Sequence, residues 1–262
     1  MVDDDTLAVA GELSKPTIRI SLNGKKFRKM VGSEEVAVVN DNHLNVVIVK
    51  MSHTASRTYY EGAYQPGKIA SPACWSNDSK TADKEVPIAQ AKSCYQYKYS
   101  VRGSGNNGVG TACKISWRIA VVLANDIKGD ILQLALPAMS CFGKEISGRY
   151  PFRPYIQMLA NNNVSAGRVV TRLQFDESVN IPKVLFSPFA AVSEDDLEIL
   201  KKQAASREAQ NATVLKVNLS NYDEQRPTVQ FDVFLETPQK TTDADIEKEK
   251  KVSDIVNKWK NK

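Results

Sequence analysis

Residues 94–123 read CYQYKYSVRGSGNNGVGTACKISWRIAVVL, two strand-like runs joined by a loop of glycine and asparagine. Side chains on a strand alternate between its two faces. In the first run Tyr95, Tyr97, Tyr99 and Val101 therefore share one face, and Gln96, Lys98, Ser100 and Arg102 share the other. In the second run Ile115, Trp117, Ile119 and Val121 line one face, with Lys114, Ser116 and Arg118 opposite. Rings interleaved with cations on paired strands suit a single-stranded nucleic acid, because rings stack bases and cations neutralise phosphates. The competing reading is a half-buried sheet with its aromatics toward the core and its cations toward water. From this segment alone the competing reading is the stronger.

Working outward, residues 17–22 (TIRISL) alternate like an opening strand and lead into the basic turn Asn23-Gly24-Lys25-Lys26. Residues 44–50 (LNVVIVK) form a continuous apolar run, the pattern of a strand buried on both faces. From Ser52 to Lys92 the chain is loop-rich, and such an insertion is usually functional or disordered. Its rings and cation (Arg57, Tyr59, Tyr60, Tyr64 and Trp75) argue for the functional alternative. Residues 131–136 (ILQLAL) alternate again up to Pro137, and Pro154–Leu159 begins a short helix ending at Asn161-Asn162-Asn163. Residues 168–175 and 182–186 read as a hairpin around Asp176–Asn180. Ser193 and Asp196 resemble a capping box opening a helix to about Gln210. Thr228–Leu235 gives a last alternating run. The lysine- and acid-rich residues 237–262 read as an amphipathic helix or solvated tail.

With 262 residues, 42% of them hydrophobic and 25% charged, the chain has the composition of a globular protein with a sizeable core. A net charge of +5 permits a polyanionic partner without demanding one. The acidic start MVDDDTLAVAGELSK lacks the basic and apolar regions of a signal peptide. Apolar runs such as Val46–Val49 are too short to span a bilayer. The expectation is a soluble, non-exported, cytoplasmic protein that makes no membrane contact.

Chemistry-bearing motifs are sparse. Gly103, Gly105 and Gly108 match GxGxxG, but a strand rather than a helix follows, so no helix N-terminus is there to hold a pyrophosphate. There is no P-loop and no GxSxG elbow. The two histidines, His43 and His53, are not placed beside a cysteine by any spacing. Asp195-Asp196 suits a helix first turn, and Asp126 and Asp130 flank a turn at Gly129. No catalytic residue and no cofactor is expected. The four cysteines, Cys74, Cys94, Cys113 and Cys141, contain no CxxC pair, because Tyr97 stands where a partner of Cys94 would be. A zinc site from Cys74, Cys94 and Cys113 with His53 as fourth ligand is the weaker reading. Buried free thiols are preferred.

Several phrases together resemble a bacteriophage-encoded family of single-stranded-DNA-binding proteins of the oligonucleotide-binding-barrel type. They are KPTIRISLNGKKFR, NVVIVKMSHTASRTYYEGAY, PACWS, the GSG loop with TAC, RIAVVLANDIKGDILQLALPA, VVTRLQFD and PKVLFSPF, spanning residues 15 to about 200 in the family's order. In that family a CxxC pair follows the PxCWS segment, consistent with a small zinc site; here Cys74, Cys94 and Cys113 match but Tyr97 does not. Relatives commonly end in an acidic segment that recruits replication partners, whereas this chain ends in the basic WKNK.

The resemblance and the residues together predict a mainly β fold with peripheral helices: an OB-like five-stranded barrel carrying a long loop insertion. Residues 1–14 would be a flexible segment, 15–236 the single-strand-binding domain and 237–262 the tail, which gives a route to homo-oligomers. The expected function is sequence-tolerant, non-catalytic binding of single-stranded DNA in phage replication or recombination, in the host cytoplasm and alongside phage replication proteins. Arg57, Lys98, Arg102, Lys114 and Arg118 are the candidate phosphate contacts. Tyr59, Tyr60, Trp75, Tyr95, Tyr97, Tyr99 and Trp117 are the candidate stackers. If the row Tyr95-Tyr97-Tyr99 belongs to the core, stacking passes to Tyr59, Tyr60 and Trp75. The alternative is a phage structural or assembly protein working through protein contacts.

Overall fold

The β-branched run Val46-Val47-Ile48 sits at the centre of β4 (His43–Met51) and is at most 1% exposed, as expected of a strand covered on both sides. The computed structural model describes residues 17–62, 71–105 and 108–217. Tyr64, residues 1–14, the run 228–235 and the tail 237–262 lie outside the described residues. Around β4 the chain forms a mainly β, mixed sheet. Its strands are β1 (Ile18–Ser21), β2 (Phe27–Val31), β3 (Glu34–Val39), β4, β5 (Ser56–Tyr59), β6 (Cys74–Ser76), β7 (Lys114–Leu123), β8 (Leu132–Pro137), β9 (Val169–Phe175) and β10 (Val184–Ala191). The main path runs β10-β9-β4-β7-β8-β1-β2-β3, and β5 and β6 branch from the start of β7. Neighbours are antiparallel except β1 and β8, which pair in parallel with Ile20 opposite Leu134.

This path curls. Phe27 on β2 and Phe175 on β9 are far apart in the strand order, yet their ring centroids lie 4.4 Å apart. Beside them Lys25 Nζ donates to the Val179 carbonyl at 2.9 Å. The strand order ends at β3 and β10, which do not pair with each other, so the described strands form a mainly β, curled mixed sheet of more than the five strands expected. Inside the curl lies one core: Ile20, Phe27, Val46, Ile48, Ile119, Val121, Leu134, Leu173 and Phe186. Helices α1 (Ala138–Cys141) and α2 (Phe152–Asn161) contribute Cys141, Phe152, Tyr155 and Leu159 to that core. The Tyr155 hydroxyl, fully buried, meets Thr171 Oγ1 at 2.8 Å, which removes the cost of burying either group alone.

The other face of β4 and β7 is covered by α3 (Glu194–Ala205) and α4 (Arg207–Ala212). Leu200 packs with Val47 and Val122, and Ala209 and Ala212 pack on Ala120. The helix opens after Ser193 as expected, but the Ser193 side chain makes no cap hydrogen bond. It does not run unbroken to Gln210: Ser206 interrupts it, and its Oγ accepts from the Ala209 amide at 3.1 Å to start α4.

Two expectations fail between Ser52 and Thr111. Residues 94–102 form no strand: the segment is irregular, with a 3-10 turn over Lys98–Ser100. The glycine loop is thus not a hairpin connection, and β7 pairs instead with β4, β5 and β8. The reason is ladder supply. Both edges of β7 are already taken, one by β8 and the other by β4 and β5, so the tyrosine row has no backbone there to pair with. The 52–92 insertion, for its part, is anchored by specific contacts. Trp75 packs with Val86 and Leu215 in a satellite core. Asn77 clamps Leu215, donating to its carbonyl at 3.1 Å and accepting from its amide at 2.7 Å.

Candidate functional site

At its first residues β7 brings two surfaces together. Lys114, Ser116 and Arg118 point to one side, where β5 is paired through Ser56 opposite Ser116. Trp117 points to the other side, its indole Nε1 donating to the Ser52 carbonyl at 2.8 Å.

On the β5 side the expected tyrosine row becomes a ring cluster. Tyr59 stacks on Tyr99 at 4.9 Å with 13° between planes, and Tyr97 meets both edge-on at 5.4 Å. Tyr97 is 7% exposed and Trp75 1%, so neither offers a face to solvent. Burial pushes the Tyr59 hydroxyl up to about 12, with the neighbouring Tyr99 adding to the shift. By contrast Tyr95 is 87% exposed and Tyr60 47%. Lys98 and Arg102 are exposed on the same segment, and Lys98 Nζ stands 5.4 Å over the Tyr99 ring. Lys114 is exposed too, donating to the Thr111 carbonyl at 2.7 Å. Arg118 is held between Ser56 Oγ and Ser116 Oγ. Burial lowers its pKa to about 10, which still leaves it a cation at neutral pH.

Arg57 turns inward. It lines a cavity of about 20 Å³ together with Cys74, Cys94, Cys113 and Tyr97, and its Nε and Nη1 are buried without a hydrogen-bond partner. Three of the four cysteines, distant in sequence, thus converge on a space with room for one water. Burial pushes the Cys74 thiol up to about 11 and raises Cys94 and Cys113 as well, so all three are neutral thiols at pH 7. His53 is elsewhere, on the Trp117 side. Among the described residues no group of three or more His, Cys, Asp or Glu side chains is arranged to hold a metal ion.

On the Trp117 side lies a groove of about 700 Å³ between the end of β4, β7 and the α1–α2 region. Phe142 is 39% exposed there and meets Trp117 edge-on at 6.5 Å. The Arg153 guanidinium stands 5.8 Å from both ring centroids. Of the groove residues only Trp117 was singled out as a stacker from the sequence, and Phe142 and Arg153 were missed. The stretch Arg149-Tyr150-Pro151-Phe152-Arg153-Pro154-Tyr155 carries the same interleaving of rings and cations as residues 94–118, and that was the available signal.

No helix among the described residues is long and apolar enough to cross a membrane. No protein-family model, curated protein or solved structure matches the chain.

Proposed function

We propose that this protein binds single-stranded DNA with little sequence preference and without catalysis, in phage replication or recombination, where replication proteins would be its partners. One observation carries the reading. Four ion pairs form among the described residues, and none uses Arg57, Lys98, Arg102, Lys114 or Arg118. Lys98, Arg102 and Lys114 are exposed, with the rings of Tyr60 and Tyr95 exposed on the neighbouring segments. Cations left without carboxylates, beside open rings, match what a sugar-phosphate backbone with unstacked bases needs. Fluorescence anisotropy with single- and double-stranded oligonucleotides tests it. Preferential, salt-sensitive binding of the single strand is expected, and absence of binding at both low and moderate salt refutes it.

A second reading, an assembly role through protein contacts, is favoured by β10. Among the described strands it pairs only with β9; Phe186 in its first half is bridged to Tyr150, but its second half (Pro188, Phe189, Ala190 and Ala191) is exposed, Phe189 to 53%. An unpaired edge of this kind invites another chain. Light scattering that shows an oligomer abolished by Phe189→Glu, together with no DNA binding, would select this reading.

A further inference from the structure

Four segments meet at the Trp117 groove: Met51 and His53 at the end of β4, Trp117 of β7, Phe142 after α1, and Arg153 with Gln157 on α2. We propose that this groove receives one unstacked base of single-stranded DNA, an inference that rests on the DNA-binding reading above. Its volume falls in the range of small-molecule sites, about 300–1,000 Å³. Its walls are mostly aromatic or apolar, interrupted by Ser52, His53, Arg153 and Gln157, and no aspartate or glutamate lines it. Arg153 has no carboxylate partner among the four ion pairs of the described residues. It lies instead across two rings, 5.8 Å from each.

That arrangement matches the chemistry of a nucleotide. Phe142 offers a solvent-open ring for stacking, while Trp117 is fixed by its bond to the Ser52 carbonyl and supplies a rigid wall. His53, Ser52 and Gln157 give donors and acceptors for the edge of a base. The guanidinium is planar and always charged, so it can cover the rings when the groove is empty and meet a phosphate when a base replaces it. An aliphatic peptide would use neither the cation nor the polar edge. Three contributing segments are held by the core: Met51 and Trp117 pack against it, and Phe152, 1% exposed, lies within it with its ring 5.7 Å from that of Trp117. The groove therefore exists before the ligand arrives, which lowers the ordering cost of binding.

The test compares the full-length wild type with Phe142→Ala on two fluorescent single strands of equal length, one of thymidine and one carrying abasic sugars. Removing a stacking ring should weaken binding to the thymidine strand by about 5- to 150-fold. Binding to the abasic strand should be unchanged, because only the base is proposed to occupy the groove. Equal affinity of both proteins for the thymidine strand overturns the groove while leaving DNA binding intact. An equal loss on both strands also overturns it, since that is what a general disturbance of the fold would give. If the wild type binds neither strand, the DNA-binding reading itself fails and the groove falls with it. Phe142→Leu keeps the apolar bulk without the ring; it should behave like Phe142→Ala, and it serves in its place if the alanine variant does not fold.

Discussion

Tyr97 lies on a segment whose tyrosine and cation alternation mimics a strand, yet its ring is buried against Tyr59 and Tyr99. Tyr97→Ala should therefore cost roughly 3–5 kcal/mol of folding stability, as buried aromatic truncations do. Chemical denaturation measures this, and a loss below about 1 kcal/mol would place the ring outside the core. The cysteines give a second residue-level expectation. With their thiols neutral at pH 7, Cys74, Cys94 and Cys113 should react slowly with an alkylating or disulfide reagent and faster as pH rises toward 11, the range to which Cys74 is pushed. Elemental analysis should find well under one zinc per chain, because Tyr97 offers no thiolate. At this scale the exposed cations Lys98, Arg102 and Lys114 were legible, since charge rarely goes inside. Arg57 was not: its burial depends on thiols brought from three separate segments.

The β9–β10 hairpin was legible in the sequence, although β10 runs on to Ala191 rather than stopping at Phe186, and its turn contains a pH-sensitive bond. Asp176 accepts from Lys183 Nζ at 2.8 Å and from Ser178 Oγ at 2.6 Å. These bonds hold its carboxyl down to about 2, well below the ordinary carboxylate range. A depressed folded-state pKa gives stability that is present above the unfolded value near 4 and is lost as pH falls toward 2. Asp176→Asn should thus lower the melting temperature at pH 7, and the difference from wild type should shrink as pH falls from about 4 and be lost only below about 2. Pairing of β2 with β3 was not read, although Gly32 and Ser33 form a two-residue turn between Val31 and Glu34. Gly32 takes a φ of 61° and Ser33 does not take a positive one, the pattern of the hairpin turn that has glycine first. The acidic pair Glu34-Glu35 disguised the strand because β3 is an end strand, with its first half exposed.

For the whole molecule, the expectation concerns charge. Replacing Lys98 and Arg102 together by Ala should weaken single-strand binding while changing folding by no more than about half a kcal/mol, since both are exposed. The dependence of log K on log salt should have a slope of roughly −0.7 per phosphate neutralised, and the double variant should show a shallower one. An unaltered slope would move the contact surface away from this segment. The mainly β class and both faces of β4 could be read from apolar periodicity, a local property. Sheet curl could not, because it depends on Phe27 meeting Phe175 and on β1 pairing with β8, contacts without local signature. For the same reason the Phe142–Arg153 groove, assembled from separate segments, stayed hidden.

The parallel pairing of β1 with β8 sets a schedule for synthesis. Strands β1, β2 and β3 can form their antiparallel meander soon after they leave the ribosome, but the outer edge of β1 stays unpaired until residues 132–137 follow. At ~5–20 residues per second that interval is on the order of ten seconds. Throughout it the nascent chain carries an open strand edge and a Phe27 ring whose partner, Phe175, is still unmade. The newborn chain is therefore most exposed to aggregation, and most in need of a holding chaperone, until β8 has been made.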